Sequence, residues 1–164
     1  MFFLKSVFVS VVLLITITTA LAKDLTQRLG VGVKQESMYG QLPTLLVQYH
    51  PTLDYTWVGA MGIDTQANAS STYLSFALRR NLFFEPQLNF YAAGRISFYS
   101  FDVATGAGSG FGLAALGGTE FFLQGLENLA FLIEAGLELS IVDSKSRMST
   151  VGGAVTQAGA VFYF

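Results

Sequence analysis

The chain has no cysteine and a single histidine, and its charged residues are few. The missing thiols exclude disulfides, thiol catalysis and cysteine-based metal sites, and His50 alone cannot form a site that needs several histidines. Charged residues make up 12% of the chain, about half the share of roughly 25% that soluble domains carry. The formal net charge of -2 provides no basic surface for nucleic acid. At 164 residues, one domain is expected.

The one long apolar run lies at the start of the sequence. Lys5 precedes apolar and hydroxyl residues over 7–22, and the run ends in Ala20-Leu21-Ala22. A short positive start, an apolar stretch and a small-x-small site are typical of a secretory signal peptide. A retained membrane anchor is the alternative, but the run is shorter than the roughly 20 apolar residues of a spanning helix. We predict that residues 1–22 are a cleaved signal peptide and that residues 23–164 form the mature domain.

Beyond Ala22 no apolar stretch is long enough for a membrane helix, so a membrane protein would have to be a β-barrel. What recurs is an alternation of period two, which a strand converts into two different faces. The alternation is clearest at 129–142, where Leu137 and Glu138 fall on opposite faces. The whole set of predicted strands covers 28–35, 42–49, 55–63, 71–79, 87–99, 110–123, 129–142 and 154–164. The pattern over 55–63 does not choose a face, because Trp57 competes with Val58.

The segments between these strands alternate in character. Polar or Gly-rich segments near 36–41, 64–70, 100–109 and 143–152 alternate with tight connections near 50–52, 81–86 and 125–128. Short periplasmic turns and longer outer loops are typical of outer-membrane barrels, and an even strand count places both termini in the periplasm. The Gly-rich segment 105–110 lacks the Lys-Ser/Thr ending of a phosphate-binding loop, so we expect a flexible loop there.

A soluble lipocalin-like barrel would alternate too, with its apolar face turned inward around a ligand. The low charge content favours the membrane alternative, because a soluble exterior needs more charged residues. We therefore predict an all-β fold, a single eight-stranded antiparallel up-and-down transmembrane β-barrel. The predicted location is the outer membrane of a Gram-negative bacterium, with outer-membrane lipid as a partner.

The C-terminal segment carries a resemblance to a known class of proteins. Its pattern Gln157-x-Gly159-x-x-Phe162-x-Phe164 resembles the terminal signature of bacterial outer-membrane barrels. The resemblance implies that these four residues are an assembly signal and that the barrel-assembly machinery is a partner during biogenesis. In size and layout the mature chain is also similar to OmpX-type and OmpA-transmembrane-type barrels, although its outer loops are shorter than those of the OmpX type.

Charged residues on the second face of the strands would point into the barrel. These are Arg28, Lys34, Arg79, Arg95, Glu120, Glu134 and Glu138. An eight-stranded barrel is only wide enough for side chains to fill. We therefore predict a paired charge network that plugs the lumen, because a network satisfies both signs where an unpaired buried charge is costly.

Aromatic residues gather near the predicted periplasmic ends of the strands, where a girdle anchors a barrel at the membrane interface. The candidates are Phe83, Phe84, Phe121, Phe122, Phe162, Tyr163 and Phe164.

No catalytic set is apparent in the sequence. His50 lies at a predicted periplasmic turn, whereas small barrels that remove acyl chains from lipid A work at the outer leaflet with Ser, His and a carboxylate. Glu134 and Glu138 would lie about 13 Å apart on one strand, too far for shared acid–base work. We predict a non-enzymatic barrel with a structural or interaction role and no cofactor. An outer-leaflet lipid A acyl hydrolase and a secreted lipocalin-like ligand-binding barrel are the alternatives.

Overall fold

The computed structural model describes residues 24–36, 42–66, 69–103, 106–143, 145–151 and 157–164. The predicted signal peptide over 1–22 lies outside the described residues. The strands are β1 (Leu29–Glu36), β2 (Leu42–Tyr49), β3 (Tyr55–Gln66), β4 (Ala69–Glu85), β5 (Leu88–Val103), β6 (Gly106–Leu123), β7 (Leu126–Val142), β8 (Lys145–Val151) and β9 (Gln157–Tyr163). In these ranges no helix is long and apolar enough to cross a membrane.

The strands form one antiparallel sheet that closes on itself. Each strand from β1 to β7 pairs with the next, and β9 pairs with both β7 and β1. Strand β8 pairs with β7 over Gly136–Val142, and β9 pairs with β7 over Leu129–Glu134. Because β8 and β9 occupy the eighth position in succession, the architecture is a closed eight-stranded up-and-down barrel. The prediction of an all-β, eight-stranded antiparallel up-and-down barrel is confirmed.

The stagger of the barrel follows from the paired residues. From Val33, pairing in one direction passes through Leu45 and Met61 and reaches Leu74 on β4. Pairing in the other direction reaches Glu85 on the same strand, by way of Ala160, Phe131, Phe121 and Leu88. Leu74 and Glu85 are eleven residues apart on β4. One residue between them, the bulged Leu82, has no paired residue on β5 and is not counted, so the strand register shifts by ten residues around the barrel. For eight strands this gives a tilt of about 40° from the barrel axis.

Alternation of side chains divides the strands into an interior and an exterior face. In β3 the side chains of Thr56 and Val58 are buried in the interior, while Trp57 and Met61 are exposed. This settles the orientation that the sequence left open over 55–63. The ambiguity arose because the interior face of β3 consists largely of small or apolar residues, so both faces look hydrophobic.

Several connections are shorter than predicted. The loop predicted over 100–109 is wrong in most of its length, because β5 extends to Val103 and β6 begins at Gly106. The flexible loop expected over 105–110 is therefore largely strand. Strand β8 lies within the loop predicted over 143–152, and strand residues also extend into 64–70. Paired strands are joined by backbone hydrogen bonds, which form with polar as well as with apolar side chains. The strands therefore continue through polar residues beyond the apolar region.

The connection predicted over 81–86 is also wrong, because β4 continues to Glu85. A β-bulge at Leu82 inserts one residue opposite the step from Tyr91 to Phe90. Such a residue shifts the alternation by one position, so that Arg80 and Phe83 both point outward. A pattern of strict period two is lost at this point.

Candidate functional site in the barrel interior

Seven charged side chains from five strands meet inside the barrel. They are Lys34 and Glu36 on β1, Arg79 on β4, Arg95 on β5, Glu120 on β6, and Glu134 and Glu138 on β7. Each exposes no more than 5% of its surface. All of them occupy interior positions of their strands, so the alternation itself brings them together.

Glu134 lies at the centre of the first group. Its Oε2 accepts a hydrogen bond from Lys34 Nζ at 3.1 Å, and its Oε1 accepts one from Arg79 at 2.9 Å. The Tyr91 hydroxyl also donates to Oε1, at 3.0 Å, and the Arg79 guanidinium lies 4.4 Å from the centre of the Tyr91 ring. Two cations and a hydroxyl therefore surround one carboxylate.

Arg95 lies at the centre of the second group. Its Nη1 lies 3.0 Å from Glu36 Oε1, and its Nη2 lies 2.8 Å from Glu138 Oε2. Glu138 also accepts a hydrogen bond from the Ser97 hydroxyl at 3.0 Å. Lys34 Nζ lies 2.7 Å from Glu36, so Lys34 joins the two groups into one network.

The third group lies at the terminal end of the barrel, where the described chain begins and ends. The Tyr163 hydroxyl donates to Glu120 and lies 3.2 Å from Gln48 Oε1. Gln48 Oε1 also accepts a hydrogen bond from Arg79 at 2.7 Å, which connects this group to Glu134. A continuous chain of polar contacts thus runs through the interior.

His50 is part of this third group. Its Nε2 lies 3.3 Å from the Tyr163 hydroxyl, and its Nδ1 lies 2.9 Å from Thr56 Oγ1. The side chain is buried, so the lone imidazole of the chain is closed to a substrate. Burial, with a smaller effect from the Arg79 charge, lowers the pKa of His50 to about 4.

The low pKa of His50 predicts a pH-dependent stability. An unfolded histidine has a pKa of about 6.5, so below that pH the unfolded state binds a proton that the folded state resists. We expect the free energy of unfolding to fall as the pH drops from about 6.5 to 4, by up to about 3 kcal/mol. Urea titrations of the wild type and of His50→Gln should be compared across this range. Carboxylates titrate in both proteins, so a constant difference between the two curves would contradict the prediction.

The segment before β1, although it is not part of the sheet, covers the terminal end of the barrel. The Gln27 amide donates to the His50 carbonyl at 2.7 Å, and the His50 amide donates to the Arg28 carbonyl at 3.2 Å. Gln27 has a φ of 62°, which turns the chain there. Leu25 is consequently buried in one apolar cluster with Leu46, Phe122 and Tyr163. The sequence pattern does not predict that Leu25 is buried, because Leu25 precedes the first strand and is not part of an alternating apolar and polar pattern.

Two members of the charge network differ from the sequence prediction. Arg28 lies outside the interior, because β1 begins only at Leu29, and its guanidinium donates to Asn128 at 3.0 Å near the surface. Glu36 takes a place in the network instead, although it was assigned to the connection over 36–41. The predicted set held four basic and three acidic residues, whereas the observed set holds three basic and four acidic ones.

The four residues of the predicted assembly signal have different surroundings. Gln157 points inward, where its Nε2 donates to Glu36 at 2.6 Å. Gly159 pairs with Lys34, and a Cβ atom added to it would lie 2.8 Å from the Val33 carbonyl oxygen. Phe162 and Phe164 point outward, and their rings are 5.3 Å apart in an edge-on arrangement. Gln157 thus takes part in the interior network.

The aromatic girdle needs correction at three positions. Phe122 and Tyr163 are buried in the interior, and Phe84 is half-buried on the interior side of β4. The outward residues near the terminal end are Tyr49, Tyr55, Phe83, Phe90, Phe121, Phe131, Phe162 and Phe164. The prediction placed consecutive aromatics on one face, which the alternation of a strand forbids.

In the described ranges, no group of three or more His, Asp or Glu side chains is arranged to hold a metal ion. Glu134 and Glu138 are each engaged by a different arginine. Neither carboxylate is exposed to solvent. Six of the seven interior charged groups are therefore joined by ion pairs, and Glu120 accepts a hydrogen bond from the Tyr163 hydroxyl instead.

No family model matches the sequence, and no curated protein does. The solved structures that are similar to the chain include the following two. The crystal structure of the N-terminal β-barrel domain of Pseudomonas aeruginosa OprF is 14% identical, with a TM-score of 0.62 over 85% of this chain and 98% of that one. Ail, the attachment invasion locus protein of Yersinia pestis, is 16% identical, with a TM-score of 0.37 over 84% of this chain and 94% of that one. The likeness to the OprF domain shows that the two chains share the eight-stranded barrel fold.

Proposed function

We propose that the chain is an integral barrel of a Gram-negative outer membrane, with a structural or interaction role in the envelope and no enzymatic activity. One observation carries this proposal, namely that the barrel has charged residues inside and apolar residues outside. The exposed apolar residues include Val31, Val47, Trp57, Ile63, Phe76, Ile96, Leu113, Ile133, Leu137 and Leu139. Such a continuous apolar exterior suits hydrocarbon, because in water a patch of more than a few hundred Å² marks an interaction surface.

The same observation counts against a soluble lipocalin-like carrier. Such a barrel would turn its apolar face toward a ligand in the interior. Here the ion pairs of Glu134 and Glu138 occupy the interior of β7, and Leu137 lies on the exterior of the same strand. The even number of strand positions brings both termini to one end of the barrel, and we propose that this end is periplasmic, as an even strand count implies in outer-membrane barrels.

Cell fractionation tests the proposed location, and a gel of boiled and unboiled samples tests for a folded barrel. The protein should fractionate with the outer membrane, and its migration should change on boiling. Two single-cysteine variants, Leu137→Cys on the exterior and Glu138→Cys in the interior, then test the orientation of the side chains, and only the first should react with a lipid-soluble label. A water-soluble label should not react with Leu137→Cys. Recovery of the protein in the soluble periplasmic fraction would refute the proposal.

We also propose that the interior network closes the lumen to ions. Lys34, Arg79 and Arg95 each lie within salt-bridge distance of a carboxylate on another strand, and an eight-stranded barrel leaves no room for a water column around them. Purified protein in planar bilayers should therefore give no large, stable single-channel currents. Sustained currents from correctly folded protein would contradict a closed lumen.

The C-terminal signature supports the barrel-assembly machinery as a partner. Deletion of Phe164 should slow assembly, because it removes the terminal aromatic residue and its contact with Phe162. Levels of heat-modifiable protein in the outer membrane measure the effect. Phe121→Ala is a matched control, since Phe121 is an outward aromatic residue near the same end but lies outside the signature. Equal levels in the deletion and the wild type would count against an assembly signal.

A further inference from the structure

A positively charged side chain lies on the apolar exterior of the barrel. Arg80 on β4 is exposed and shares the outward face of its strand with Leu74, Phe76 and Leu78. In the described part of the chain it makes no ion pair and no side-chain hydrogen bond, unlike Arg79 beside it. An outward arginine within an apolar belt is costly unless it binds an anion, and lipid headgroups can provide one.

The depth of Arg80 is set by strand pairing. It pairs with Tyr55, the first residue of β3, so it lies near the edge of the apolar belt at the terminal end. An arginine on the lipid face costs roughly 2–4 kcal/mol at the bilayer midplane, and that cost falls to about 0–1 kcal/mol near the interface. A long side chain can also extend its guanidinium toward the headgroups. The bilayer can therefore accommodate an arginine at this depth, and the guanidinium can reach the lipid phosphates.

The surroundings of Arg80 leave room for a lipid. On the side away from Tyr55 its neighbour is Ala92, which pairs in turn with Gly117. A Cβ atom added to Gly117 would meet nothing within 4 Å, so the outer surface of the sheet has free space on this side of Arg80. On the other side, Tyr55 is 41% exposed. A tyrosine at this level provides a hydroxyl that can donate to an anion, and its ring lies against the acyl region.

We propose that Arg80, together with Tyr55, binds the phosphate of an anionic phospholipid in the leaflet at the terminal end of the barrel. Charge complementarity and depth select this occupant. A guanidinium forms paired hydrogen bonds with phosphate oxygens, and an anionic headgroup brings no amine that competes for them. The inference rests on the proposed membrane insertion, and with periplasmic termini this leaflet is the inner one of the outer membrane.

The chain contains its own reporter for this site. Trp57 is the one tryptophan of the sequence, points outward and pairs with Leu78, two residues from Arg80. Diagonal neighbours of this kind lie about 7–8 Å apart. Lipids with brominated acyl chains quench tryptophan fluorescence on contact. Their quenching therefore measures which lipid occupies the exterior beside Arg80.

The experiment uses the folded mature chain in phosphatidylcholine vesicles that contain a small fraction of brominated lipid. In the wild type, brominated phosphatidylglycerol should quench Trp57 more strongly than brominated phosphatidylcholine does, with a relative binding constant of about 3 to 5, as an exposed charge pair allows. Arg80→Gln should reduce that ratio to about 1. Arg147→Gln removes the same charge from exposed strand β8 and should leave the ratio unchanged.

The other outcomes are equally decisive. Equal quenching by the two lipids in the wild type, or a preference that survives Arg80→Gln, overturns the headgroup site while the membrane barrel stands. Loss of the preference in millimolar inorganic phosphate would reassign the site to a free anion. No quenching by either lipid would show that the barrel is not inserted, and both proposals would fail.

Discussion

Replacing Arg95 by Met should lower the free energy of unfolding by about 3–5 kcal/mol. Arg95 bridges Glu36 and Glu138, with contacts of 3.0 and 2.8 Å. Without the guanidinium, Glu36 still has Lys34 and Gln157, but within the described residues Glu138 retains only the Ser97 hydroxyl as a partner. A buried carboxylate deprived of its counter-charge costs far more than the ion pair gains, which is the reason for the size of the effect.

Urea titration of the barrel in lipid vesicles, followed by Trp57 fluorescence, measures this loss. Arg147→Met is the matched control, because it removes the same charge from an exposed position on β8, and it should change the free energy by less than about 0.5 kcal/mol. The double variant Arg95→Met/Glu138→Leu should recover part of the stability, since it removes both buried charges. A single variant as stable as the control would mean that the interior charges are solvated.

Replacing Leu137 by Arg should cost roughly 2–4 kcal/mol if that face meets hydrocarbon. Leu137 is 49% exposed and points outward. It lies near the middle of the outward row of β7, which runs from Leu129 to Ile141. The penalty arises because a guanidinium placed there must leave water or distort the bilayer to remain hydrated.

The position along β7 should grade this effect. Leu129→Arg, at the terminal end of the same outward row, should cost about 0–1 kcal/mol, since its guanidinium can reach the interface. Both variants are measured by the same vesicle titration, so differences in folding conditions cancel. Equal penalties at Leu129 and Leu137 would refute a lipid-facing exterior with a defined depth.

The sequence predicted the barrel where one face of a strand is uniformly apolar and the other carries charge. In β7, Leu137 and Glu138 fall on opposite sides, and the structure retains this division. In β3 both faces are apolar, so Trp57 and Val58 could not be separated until pairing with β2 and β4 fixed the register. Alternation therefore identifies strands well and orients them only where the two faces differ.

The prediction of the interior residues failed where local sequence conflicts with long-range pairing. Glu36 follows a strand pattern but precedes a polar segment, and its interior position depends on Arg95, which lies 59 residues away. Arg28 fits the alternation of β1 by parity, yet the turn at Gln27 places it before the strand. Leu25 and the bulge at Leu82 are set by contacts with other elements, which a single segment does not encode.

The two-sided pairing of β9 determines when the barrel can be completed. Pairing between Gly30 and Tyr163 joins residues from opposite ends of the described chain, so its loop-closure entropy can be offset only after the intervening hairpins have formed. The contacts of Tyr163 with Gln48 and His50 span more than a hundred residues and depend on the same event. Closure of the barrel by the pairing of β9 with β1 should therefore be the slow kinetic step of folding. The Tyr163 hydroxyl should acquire its partners only in that step.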